Sequence, residues 1–140
     1  MSPYSTALRL QTREVDEIKL AIRLEAETLA ATADSQRALE HTLLRERAVQ
    51  QLWHARDAWE AKMRREQDRL AAEHAASDAR LAALRRQAAE AYGKMRAIEE
   101  AETRWRTAQQ AVEAAAEQAE ADDLSAGRFV GAPRRRRNES

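Results

Sequence analysis

Cysteine is absent from the sequence, which excludes disulfides and thiolate metal sites. Glycine occurs three times and proline twice in 140 residues, and neither falls between Tyr4 and Tyr92. Sandwiches, barrels and βα units need such residues at their corners, so their scarcity points to long uninterrupted helices. Aromatic residues are only 4% of the chain, and alanine carries more of the apolar content than leucine or isoleucine does. A thick core is therefore not available, and a two-helix seam is the natural limit. Neither sign of charge is in excess, with 24 Lys and Arg against 24 Asp and Glu. No global field then steers the chain to nucleic acid or to anionic membranes. No apolar run approaches the roughly 20 residues of a membrane span. The N-terminus also lacks the basic-then-apolar layout of a signal peptide. A soluble, cytoplasmic protein is the expectation.

What is abundant is alanine, glutamate, arginine, leucine and glutamine, the profile of a long helix or coiled coil. The strongest pattern runs through Leu81, Leu84, Ala88, Ala91, Met95, Ile98, Glu102, Trp105, Gln109, Val112, Ala116 and Ala119. Steps of three and four repeat along it, mostly apolar on the seam and charged between, and such a seam asks for a partner helix. It extends backwards through Ser77, His74, Leu70, Gln67 and Met63. A second seam runs through Leu8, Gln11, Val15, Ile18, Ile22, Glu25, Leu29, Thr32, Gln36, Leu39, Leu43, Glu46, Gln50 and Trp53, and polar residues dilute it after Ile22.

The two seams differ in phase, and the change falls near His54 to Ala58. Asp57-Ala-Trp-Glu60 has the form of a capping box, which suits a helix restart. Ser77 with Asp78 offers another restart and would put the turn at 75–78, but it leaves Val15, Ile18 and Ile22 without partners on the chain. The expected fold is all-α, a long two-helix antiparallel coiled-coil hairpin over 1–126. Helix 1 covers about 4–53, the turn about 54–58 and helix 2 about 59–124. Ser2, Pro3 or Ser5 would open the first helix, and Gly127 would close the second. Residues 127–140, with Gly, Pro and four arginines at 134–137, read as a disordered basic tail. With the turn at 54–58, partner numbers sum to about 113. That sets Leu43 against Leu70, Leu29 against Leu84, Ile22 against Ala91, Ile18 against Met95, Val15 against Ile98 and Leu8 against Trp105. Gln109 and the seam residues beyond it then have no opposite number.

Chemistry-bearing patterns are missing. His41, His54 and His74 are far apart and match no metal spacing. There is no glycine-rich phosphate loop, and a rod cannot exclude water around a carboxylate pair. No enzyme activity and no cofactor are expected. The arginine run has no aromatic residues interleaved with it, so a solvated tail is favoured over a nucleic-acid contact. Off-seam apolar residues are the better candidates for partner binding. Leu10, Leu20 and Leu24 fall on the outer face of helix 1, Trp53 and Trp59 flank the turn, and Val112 and Leu124 lie on the unpaired end of helix 2.

The stretch Leu8-Arg-Leu-Gln-Thr-Arg-Glu-Val-Asp-Glu is similar to the opening of the FliJ family of flagellar type III export proteins. Glu117-Gln-Ala-Glu-Ala-Asp-Asp-Leu-Ser-Ala-Gly-Arg-Phe is similar to that family's closing segment before a short basic tail. The near-full-length hairpin with a longer second helix also resembles the family. Many members have a longer middle loop with aromatic, Pro or Gly residues. The break here is compact, so tip residues are not carried over. The resemblance implies a non-enzymatic stalk inserted into the pore of the hexameric export ATPase, with residues 8–17 and 118–124 at the inserted end. The turn would face the cytoplasmic domain of the export gate, and export chaperones are further implied partners. Such a protein is cytoplasmic and reaches the inner face of the cell membrane only through partners. A stalk of a virulence type III secretion system and a generic coiled-coil scaffold are the alternatives.

Overall fold

A computed structural model describes residues 2–50 and 56–138, with side chains described as far as 128 except for Gln50. It holds two helices, α1 over Ser5–Gln50 and α2 over Arg56–Asn138, and they pack against each other as an all-α pair. The start of α1 is set by local hydrogen bonding. Tyr4 N–H donates to Ser2 Oγ at 3.1 Å and Ser5 Oγ donates to the Ser2 carbonyl at 3.0 Å. Leu8 N–H closes the first turn on the Tyr4 carbonyl at 2.9 Å. Ser2 and Pro3 therefore precede the helix, and the serine supplies the partner that an orphan N–H needs.

The chain divides into two units, one of Leu10–Met95 and one of Met1–Arg9 with Arg96–Ser140. In the first unit the buried residues are Gln11, Val15, Leu43, Leu70, Ser77, Leu81 and Ala91. Every one lies on a seam predicted from the three-four spacing. The other described seam residues of this unit are half-buried, apart from the exposed Gln67, where the neighbouring Glu66 is half-buried instead. In the second unit Leu8, Ile98, Glu102 and Trp105 are half-buried, and residues 106–128 are exposed on all faces. Val112, Ala116 and Ala119 thus continue the seam in water. Pairs such as Arg106 with Glu102 at 2.8 Å and Arg69 with Glu73 at 2.6 Å run along single helices. They support helix formation on the surface and add little to the packing between helices.

Three expectations about boundaries change. Residues 56–58, expected in the turn, are helical, and Asp57 lies inside α2 rather than ahead of it. Residues 51–55, including Trp53 and the rest of the expected turn, lie outside the described residues. Ser77 and Asp78 are in the interior of α2, which removes the turn at 75–78. The second helix also passes the end expected at 124 and continues to Asn138, through Gly127. No described glycine has a positive φ. Glycine permits the left-handed cap conformation but does not impose it.

The register differs as well. Gln11 Nε2 donates to the Ala91 carbonyl at 3.0 Å and Ser77 Oγ donates to Glu25 Oε1 at 2.6 Å, so both pairs sum to 102. Glu25 with Arg80 sums to 105 and Thr12 with Met95 to 107. Lys19, with a long side chain, reaches along the pair to Tyr92. The expected pairs of Ile22 with Ala91 and Ile18 with Met95 are therefore displaced by about one heptad, roughly 10 Å along the axis. A seam slid by three- and four-residue steps still faces a seam, so apolar spacing is blind to this shift. Polar contacts choose among the registers.

Candidate functional site

Two kinds of feature stand out, a polar latch inside the seam and a set of exposed apolar residues outside it. The latch is built on Glu25. Its side chain is 17% exposed and Oε1 accepts hydrogen bonds from Ser77 Oγ at 2.6 Å and from Arg80 Nε at 3.1 Å. Ser77 is 1% exposed, the most buried side chain described. A buried hydroxyl needs a partner, and the carboxylate across the seam supplies it. One helical turn of α2 places Ser77 and Arg80 on the same face, so both reach the same oxygen. Gln11 repeats the device further along, with its amide spent on a backbone carbonyl of the facing helix.

The Ser77 hydroxyl is the largest cause holding the Glu25 carboxyl below its ordinary value of 4.5. Desolvation opposes the shift, and Arg80 adds to it. A carboxyl whose pKa is lower in the folded state stabilises the fold above its unfolded value. That contribution is lost as pH falls through the folded value. Urea unfolding of the wild type and Glu25→Gln should therefore show a stability gap that is constant above about pH 5.5 and closes on acidification below the unfolded value. A gap unchanged down to about pH 2 would contradict this assignment.

The sequence-predicted contact residues fall in separate places. Leu10, Leu20 and Leu24 are 59%, 49% and 55% exposed on the outside of α1. Leu20 and Leu24 are one turn apart, and Glu17 lies between them and Leu10 on the same stripe. Trp59 is half-buried near the start of α2. Trp53 lies outside the described residues. Val112 and Leu124 are exposed on the segment of α2 in the second unit. Leu44 and Val49 are also exposed, and Lys19 Nζ stands 5.3 Å from the Tyr92 ring centroid in a cation–π contact.

Sequence reasoning gave Gln11 and Glu25 no role beyond their seam positions, and weighed Ser77 only as a seam position or a helix restart. The signal that could have found them is pairing, because a glutamate and a serine on facing seams can satisfy each other only in certain registers. A second missed feature is charge segregation. Residues 107–127 carry five acids, at Glu113, Glu117, Glu120, Asp122 and Asp123, and no Lys or Arg. The overall neutrality of the chain conceals this acidic segment.

Two shallow grooves, of about 480 and 640 Å³, lie beside the seam and are open to water. The first is bordered by Ala33, Gln36 and Leu70 and the second by Thr28, Ser35 and Arg69. No described group of three or more His, Asp or Glu side chains is placed to hold a metal ion. Among the described residues no helix is long and apolar enough to cross a membrane. No family model matches the sequence, and no significant similarity to curated proteins or to solved structures is found.

Proposed function

We propose that the chain is a non-enzymatic stalk that couples the ATPase of a type III export apparatus to its gate. The reading rests on the resemblance of residues 8–17 and 117–129 to the opening and closing segments of the FliJ family. The observation that supports it best is the segment 106–128. It is a single helix exposed on all faces, acidic over 107–127, with Val112 and Leu124 bare to solvent. A slim helix of this kind fits a narrow channel, and its charge suits a basic lining. The hexameric export ATPase is the proposed partner at that end. The export gate's cytoplasmic domain is the proposed partner of the turn end, and export chaperones that of the Leu20–Leu24 face. Membrane association would be peripheral and mediated by these partners.

A pull-down on the purified export ATPase of the same genome tests the reading. Wild-type protein should be retained, and Val112→Lys/Leu124→Lys should lose about tenfold or more in affinity, since apolar anchors dominate such contacts. Leu20→Ser/Leu24→Ser should leave ATPase retention unchanged and reduce chaperone retention. Absence of wild-type binding overturns the stalk reading. Full binding by the lysine variant removes the ATPase from this segment.

A further inference from the structure

We infer that α1 pairs antiparallel with α1 of a second copy of the chain, along a stripe beside the intramolecular seam. The stripe runs through Leu10, Glu14, Glu17, Ala21, Leu24, Thr28, Ala31, Ser35, Ala38, Thr42, Arg45 and Val49. Each of these precedes a seam residue by one position, so the stripe repeats the steps of three and four, turned about 100° around the helix. From Ala21 to Thr42 none of its positions is charged, although 34% of the chain is. A solvated helix face is ordinarily polar and charged. Leu24, Thr28, Ala31, Ser35 and Ala38 are nevertheless exposed. Thr28, Ala31, Ser35, Ala38 and Thr42 also border the larger open groove, of about 640 Å³. Small side chains along a groove let another helix approach closely, and the exposed Leu10, Leu24 and Val49 give it apolar groups to cover.

Charge at the two ends of the stripe identifies the occupant. Glu14 and Glu17 stand at one end and Arg45 at the other, all exposed and without an ion pair among the described residues. Antiparallel pairing with partner numbers summing to 59 lays the stripe on itself. Leu10 then faces Val49 of the second copy, Glu14 faces Arg45, Glu17 faces Thr42, Ala21 faces Ala38, Leu24 faces Ser35 and Thr28 faces Ala31. Twofold symmetry repeats every pair, so one stripe supplies both sides. Large residues meet small or apolar ones, and each acid meets a base or a hydroxyl. Parallel pairing instead sets Glu14, Glu17 and Arg45 each against its own copy, which repels. A slide by one heptad sets Glu14 against Ala38, or Arg45 against Ala21, and loses the ion pair. The outer rim of Arg23, Glu27, Asp34 and Arg37 is balanced in charge. Across the groove, Arg69 is held by Glu66 and Glu73. About eleven helical turns on each side make a contact on the order of a standard protein interface, about 1,200–2,000 Å². Leu24 also belongs to the face proposed above for export chaperones, so the two occupants exclude each other there.

Sedimentation equilibrium of the purified full chain tests the inference, at loadings up to about 100 μM, where contacts of this size associate. A species of twice 15.9 kDa is expected. Leu24→Glu/Ala31→Glu, at two exposed positions, should weaken it about a hundredfold while helical circular dichroism stays that of the wild type. Glu14→Arg and Arg45→Glu should each weaken it about tenfold. Glu14→Arg/Arg45→Glu should restore it, a rescue that a role in folding alone does not produce. Should the glutamate variant lose helix content, the charge swap decides by itself. A wild-type chain that stays monomeric overturns the inference. So does a dimer that tolerates Leu24→Glu/Ala31→Glu with helix content intact, or a charge swap that fails to rescue. No export component takes part in this measurement, so its failure leaves the stalk reading standing, and failed retention on the ATPase leaves the dimer standing.

Discussion

Replacing Leu81 by Asp is expected to abolish cooperative unfolding of the hairpin, or to lower its midpoint by about 15 °C or more. Leu81 is 3% exposed and is one of five buried apolar residues among those described. Losing its burial removes about 1.5–3 kcal/mol, and an unpaired carboxylate on the seam adds a desolvation cost of similar size. The sum is about 4 kcal/mol, and a single-layer seam has no second layer to absorb it. Leu44→Asp is the control. Leu44 is 66% exposed, so its replacement should change stability by no more than about 0.5 kcal/mol. Thermal circular dichroism measures both. A Leu81→Asp midpoint within a few degrees of wild type would mean that the seam does not carry the fold.

Ser77→Leu gives the second large effect, and its sign separates two accounts of the seam. If polar seam residues merely dilute a coiled coil, leucine at this position should stabilise it. With Ser77 buried against Glu25, leucine instead overfills a closed position, at about 1–3 kcal/mol, and removes the hydroxyl donor from the carboxylate. Destabilisation by about 2–4 kcal/mol is expected in urea. Ser77→Ala isolates the hydrogen bond and should cost about 1.5 kcal/mol. A Ser77→Leu variant more stable than wild type would contradict the placement of Ser77 against Glu25.

The seams were legible because three-four spacing and burial have the same cause. Val15, Leu43, Leu70, Leu81 and Ala91 lie where that spacing puts them. The first helix start was legible because Ser2 has an oxygen to offer the Tyr4 N–H. Register was not, since a repeat superimposes on itself when slid, and a turn placed at 54–58 set Ile22 against Ala91. The contacts that break the tie come from Gln11, Glu25 and Ser77, which carry little weight in a hydrophobic pattern. Gly127 allows a helix stop without imposing one, and α2 runs through it. On the surface, off-seam position foretold the exposure of Leu10, Leu20, Leu24 and Leu124, and the want of an opposite number foretold that of Val112. What covers them does not follow from exposure, since an apolar face has no address of its own.

The central claim is that α1 and α2 pair antiparallel within one chain, with Thr12 beside Met95. Cross-linking of dilute Thr12→Cys/Met95→Cys protein, followed by denaturing mass measurement, tests it most directly. The expected product has the mass of one chain plus one linker, and neither single variant yields a dimer. A product of two chains, or a Thr12→Cys single variant that links to itself, would instead mean that the seams pair between molecules.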